Sequence, residues 1–171
     1  ELNGNVMTKP VHLAYFSDML CVWAYASQIR LDELKQNLGD KVCIHHHFIS
    51  VFGCSDQRIG EGWADRGGYD GFCANVCQVG SQFPHISVNP EVWSRCRPKT
   101  SCTSHIFIKA AQLLETHQLI PSDVDPLYNR TPVEELMWRI RLAFFHDAKD
   151  IGRFSVLYGI AEQMKLPIAD L

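Results

Sequence analysis

Val11-His12-Leu13-Ala14-Tyr15-Phe16-Ser17-Asp18-Met19-Leu20-Cys21-Val22-Trp23-Ala24-Tyr25 is the stretch on which the fold turns. Val11 to Phe16 is rich in strand formers and is stopped by the polar pair Ser17-Asp18. A helical stretch follows from Cys21 to Leu38, with Val22, Tyr25, Ala26, Ile29, Leu34 and Leu38 at helical spacing. Gly39 is placed to cap its C-terminus. Lys41 to Phe48 reads as a second strand, apolar apart from its histidines, as a strand buried on both faces would be. Strand, helix, strand is a βαβ unit, and its right-handed crossover makes the two strands parallel.

Working outward, 171 residues with 46% hydrophobic and 20% charged residues make one globular domain with enough apolar content for a core. That content excludes disorder, and no apolar run approaches the ~20 residues that span a bilayer. A net charge of −3 without a Lys/Arg stripe excludes an electrostatic footprint for nucleic acid. Glu1 to Pro10 has no basic segment followed by an apolar one, so a cytoplasmic location is expected, with the periplasm as the alternative if a leader has been cleaved. The seven cysteines are odd in number and form no CxxC. In a reducing cytosol most are expected to be small buried hydrophobes, which leaves the question of which thiol is a reagent.

Beyond the βαβ unit the pattern changes. Ser50 to Gly80 is rich in Gly and polar groups that break any long period, and Phe83 to Pro98 is loop-like. A helix is expected from Cys102 to His117, with Ile106, Ala110, Leu113 and Leu114 on one face. Thr131-Pro132-Val133-Glu134 is a capping box that opens a helix to about Asp147. Asp150 is expected to cap a last helix carrying Ile151, Phe154, Leu157, Tyr158, Ala161 and Met164, closed by Leu166-Pro167.

Reactive groups in a parallel sheet collect beyond the carboxyl ends of its strands, and Cys21 lies there, at a helix start. Free N–H groups and the positive end of a helix dipole favour the thiolate, which is the nucleophilic form. Asp18 opposes this at close range, or instead caps the helix or relays a proton. A buried cysteine without chemistry is the plainer alternative.

Ser17-Asp18-x-x-Cys21-x-Trp23-Ala24-Tyr25, within Tyr15 to Gly53, resembles the DsbA-like branch of the thioredoxin superfamily. That branch includes FrnE-type dithiol oxidoreductases and, more distantly, 2-hydroxychromene-2-carboxylate isomerases and kappa-class glutathione transferases. Arg97 to His105, leading into Lys109-Ala110-Ala111, resembles the insert helix that faces the family's active site. Phe144 to Ile151 resembles the return to the thioredoxin unit. The resemblance implies an α/β, thioredoxin-like βαβ unit interrupted by an inserted helical domain. Residues 7–56 and 148–171 would form the thioredoxin-like part and 57–147 the insertion.

Two departures from the family pattern carry consequences. The family has Asp-x-x-Cys-Pro-Trp-Cys-Tyr, whereas Val22 replaces the proline here and Ala24 the resolving cysteine. Without that second sulfur, a mixed disulfide at Cys21 needs an external thiol for its release. The family also closes with a cis-proline loop, two strands and a helix. Against that pattern the chain is expected to lack the C-terminal part of the fold, and the cis-proline role falls on no residue here.

Cys54 and Cys102 are candidates for the missing partner, but a disulfide needs Cα atoms within ~7 Å, and both are expected to be ordinary thiols. Cys73 and Cys77 would share a face if helical, and Cys96 and Cys102 flank a loop; neither pair has zinc-finger spacing. On a strand, His45 and His47 point to one face and His46 to the other. Cys43 shares the face of His45, which would suit a metal. Strand-end histidines pairing with backbone or water are the simpler reading, and no metal is expected.

The resemblance implies a thiol–disulfide oxidoreductase working through one thiol. Cys21 would be the nucleophile and Asp18 the cap or relay; Trp23 would be a pocket wall, beside which Trp93 lines a groove or joins the core. Thr100, Ser101 and His105 would form a polar surface facing the substrate. Mixed disulfides with glutathione, a peptide or a protein thiol are the expected chemistry, with glutathione a co-substrate, no bound cofactor, and a homodimer among the assemblies in view. The rivals are a glutathione-dependent isomerase or transferase and a redox-inactive binding member.

Overall fold

The computed structural model describes residues 9–127, 129–167 and 169. Two strands, β1 (Val11–Ser17) and β2 (Val42–Phe48), pair in parallel with Val11 opposite Val42 and Ser17 opposite Phe48. Parallel pairing is the outcome expected from the crossover rule. Six α-helices form among the described residues: α1 (Val22–Ala26), α2 (Gln28–Leu38), α3 (Gly68–Ser81), α4 (Cys102–Thr116), α5 (Pro132–Phe145) and α6 (Phe154–Gln163).

The helix expected from Cys21 to Leu38 is broken. Ser27 stands between α1 and α2, its hydroxyl bonding back to the Ala24 carbonyl at 3.3 Å and to the Tyr15 hydroxyl at 3.2 Å. A serine that bonds back onto its own turn competes with the helix ladder, and the break follows. α1 buries Val22, Ala24, Tyr25 and Ala26, whereas Ile29 and Leu38 of α2 are exposed. Gly39 does cap α2, at φ +49°.

The expectation of a β2 buried on both faces is also corrected. One sheet face packs on the helices, with Ser17 reaching Arg141 of α5 and His46 reaching Glu134. The opposite face carries His12, Ala14, Phe16, His45 and His47, all exposed. The histidines diverge as the two-residue period requires.

The glycine-rich region contains α3 and a wide turn, Asp56–Glu61, rather than an unbroken loop. Here glycine serves geometry: Gly67 turns at φ +88°, and a Cβ on Gly71 would stand 1.8 Å from the Arg66 carbonyl oxygen. On α4 the buried face is Ser104, Phe107, Ile108 and Ala111, while Ile106 and Leu113 face solvent, one step round from the expected stripe. Asp150 accepts from Gly152 N–H in a turn instead of capping a helix; α6 begins at Phe154. The core centres on Trp93, stacked with Phe52 and edge-on to Phe72 and Phe144. Trp93 is therefore core and lines no groove.

The capping box forms as read, with Thr131 and Glu134 exchanging hydrogen bonds at the start of α5. Glu134 also pairs with Lys35 and His46. Burial pushes its carboxyl up, but His46, Lys35 and the Thr131 amide outweigh that and hold it at about 2. A lowered carboxyl contributes stability that is complete above the unfolded value near 4.5 and is lost as pH falls towards 2. Glu134→Gln is therefore expected to lower stability at neutral pH and to flatten its decline below pH ~5, as read by urea unfolding at a series of pH values.

Candidate active site

The chain leaves β1 through Ser17 and Asp18, both buried. Asp18 is 1% exposed, and its carboxylate accepts three hydrogen bonds. Oδ1 accepts from Leu20 N–H at 2.8 Å; Oδ2 accepts from Phe52 N–H at 3.0 Å and from the Ser101 hydroxyl at 2.8 Å. The His105 ring lies 3.6 Å away. Burial pushes the Asp18 carboxyl up, yet His105, the amides of Phe52 and Leu20, and Ser101 together hold it below the usual carboxylate range. Asp18 is thus an ionised hub that fixes the turn carrying Cys21.

Cys21 stands immediately before α1, half-buried, its N–H bonded to the Asp18 carbonyl at 3.2 Å. The helix behind it has five residues, so the dipole available to a thiolate there is one turn long. Beneath the turn lies Arg141, fully buried, donating to Gln28 Oε1 at 3.0 Å and to Ser17 Oγ at 3.1 Å. Its Nε has no partner among the described residues. Burial pushes the guanidinium's pKa down, while Tyr15, Cys21 and Asp18 act in the opposite direction. Arg141 was not among the residues expected from sequence. The signal was present, because it shares the apolar spacing of Met137, Ile140 and Phe144 on α5.

The expected substrate wall divides. Ser101 is fully buried and turned to Asp18, so it faces no substrate. His105 is 7% exposed; its Nε2 accepts from Met19 N–H at 3.2 Å, its Nδ1 lies 3.5 Å from Ser50 Oγ, and its ring stacks on Phe48. Thr100 is half-buried, and its hydroxyl accepts from Cys102 N–H at 3.1 Å. Trp23 is 55% exposed and meets Phe83 edge-on. Phe16, His47, Phe48, His105, Ile106 and Lys109 line an open cleft of about 380 Å³.

Cys102 has more of the features of a reactive thiol than its sequence position suggested. It is the first residue of the 15-residue α4, and its Sγ lies 3.3 Å from Ser50 Oγ. Hydrogen bonds from the Ser50 and Thr100 hydroxyls pull its pKa below that of an ordinary thiol, against burial and the charge of Asp18. By contrast, burial pushes Cys77 up and Cys96 up to about 11. All seven cysteines are free.

No protein-family model matches the chain, and no curated protein is similar to it in sequence. Solved structures are similar. A candidate protein disulfide isomerase from Nitrosomonas europaea superposes with TM-score 0.66 at 12% identity, over 95% of this chain and 68% of that one. The cytosolic disulfide reductase DsbM from Pseudomonas aeruginosa, solved with GSH, gives TM-score 0.57 at 18% identity over 91% and 66%. A second DsbM structure gives 0.55 at 15% over 91% and 65%. The fold is DsbA-like. The chain spans about two thirds of the length of these structures.

Asp18→Ala would leave two amides and a hydroxyl without their acceptor, and is expected to cost about 3 kcal/mol or more in urea unfolding. Ser50→Ala removes a hydrogen bond that favours the Cys102 thiolate. It is expected to slow alkylation of Cys102 at neutral pH, followed by peptide mass mapping, while leaving Cys96 unreactive.

Proposed function

We propose that this chain carries out thiol–disulfide exchange one thiol at a time, through a mixed disulfide at Cys21 with glutathione or a protein thiol. The observation that carries the reading is a half-buried free thiol on the turn after β1, in a DsbA-like fold, with Ala24 where a second sulfur would stand. The Cys21 thiolate attacks one sulfur of a disulfide, forms the new S–S bond and releases the other sulfur as thiolate. Ala24 offers no internal attack, so a free thiol displaces Cys21 and carries away the new disulfide. The GSH in the DsbM structure supports glutathione as that thiol. A cytosolic neighbour and seven free cysteines support the cytoplasm.

Cys102 supplies a second reading. Its lowered pKa and its place on the long α4 favour it as the attacking thiol, with Cys21 silent. Oxidised glutathione separates the two. One glutathione adduct is expected on the chain, mapped by peptide mass spectrometry to Cys21, lost in Cys21→Ala and kept in Cys102→Ser. An adduct confined to Cys102 transfers the chemistry to that thiol. Reduced glutathione bound tightly without an adduct favours an isomerase or transferase, and the absence of both leaves a binding protein.

A further inference from the structure

The exposed sheet face holds a cluster that the thiol chemistry does not use. His12 on β1 stands directly opposite Cys43 on β2, and His45 projects from the same face two residues further along. One ligand atom from each, two imidazole nitrogens and the Cys43 sulfur, lies within 4.8 Å of the others. His12 Nδ1 and His45 Nε2 are 2.8 Å apart, with their rings stacked at 5.2 Å. Alternation along β2 puts only Cys43 and His45 on this face; the parallel register of β1 against β2 adds His12.

We propose that His12, Cys43 and His45 form a binding site for a divalent cation of the zinc class. One thiolate and two imidazoles are the donors that borderline-soft ions select over magnesium or calcium. Tetrahedral coordination with Zn–N near 2.0 Å and Zn–S near 2.3 Å separates neighbouring ligands by about 3.3–3.7 Å. To reach it the two imidazoles move apart by less than an ångström, and the Cys43 sulfur, within 4.8 Å of both nitrogens, closes by up to about 1.3 Å. Ala14, opposite His45, places only a methyl group on this face, and a water takes the fourth position.

The exchange balances. The hydrogen bond between the rings shows that one nitrogen donates and the other accepts. On binding, the donating ring shifts its proton to its outer nitrogen through solvent, and both facing nitrogens become ligands. The Cys43 thiol releases one proton to the buffer. The site is separate from the thiol chemistry, since five residues of strand, about 16 Å, divide His12 from the Ser17 end of β1. Its effect is to tie β1 to β2 across the open face.

The test titrates cobalt(II), and then zinc, into the reduced chain after dialysis against a chelator. One equivalent of cobalt is expected to bind with a thiolate-to-cobalt charge-transfer band, and one equivalent of zinc to abolish that band. Cys43→Ser should remove the band, and His12→Gln or His45→Gln should weaken binding by at least about tenfold. Cys21→Ala and Cys102→Ser should leave the titration unchanged. Zinc should also raise the thermal midpoint of the native chain but not that of His12→Gln, an exposed substitution whose fold is checked by circular dichroism. A band that survives in Cys43→Ser, binding indifferent to His12, or no uptake at one equivalent overturns the proposal.

Discussion

A buried carboxylate is tolerated only when its charge is answered, and Asp18 organises the molecule by that requirement. Its partners come from the end of β1, the loop after β2 and the start of α4. Losing any of these would strand a charge in a place where water cannot reach it. The turn that presents Cys21 and the helix start that presents Cys102 are therefore held against one group. Arg141, bonded to the adjacent Ser17, places the opposite charge one residue away on the packed side of the sheet. Fully buried cations are rare, and this one is held by Gln28 and Ser17 without a carboxylate partner among the described residues.

Two thiols flank this hub with different resources. Cys21 lies on the turn after β1, with a one-turn helix behind it. Cys102 has a long helix and two hydroxyls. The Ser27 break shortens the helix behind Cys21 to a single turn. What remains for Cys21 is its exposure, its position and the nearby guanidinium.

The sheet shows a division of labour by face. On the packed side His46 joins the ion pairs around Glu134, which lock the start of α5 against the strands. On the other side the histidines meet His12 and Phe16. Alternation along one strand therefore sends three consecutive identical side chains into two unlike environments.

Several features were legible in the residues alone. The parallel βαβ unit, the Gly39 stop, the capping box at Thr131 and the divergence of His45 from His46 all follow from local periodicity and cap chemistry, which act within a few residues. The DsbA-like fold was legible from the Asp18-to-Tyr25 motif. Tertiary structure alone decided the rest. Whether Ser101 faces a substrate or a buried aspartate depends on a contact 83 residues away in sequence. Which face of α4 is buried, why Trp93 is core, and why Arg141 lies under the turn that carries Cys21 depend on helix placement, which no short window encodes. The same holds for the thiols: a cysteine's reactivity is set by the charges and hydroxyls brought to it through space, so the sequence could single out Cys21 by position but could not show that Ser50 reaches Cys102.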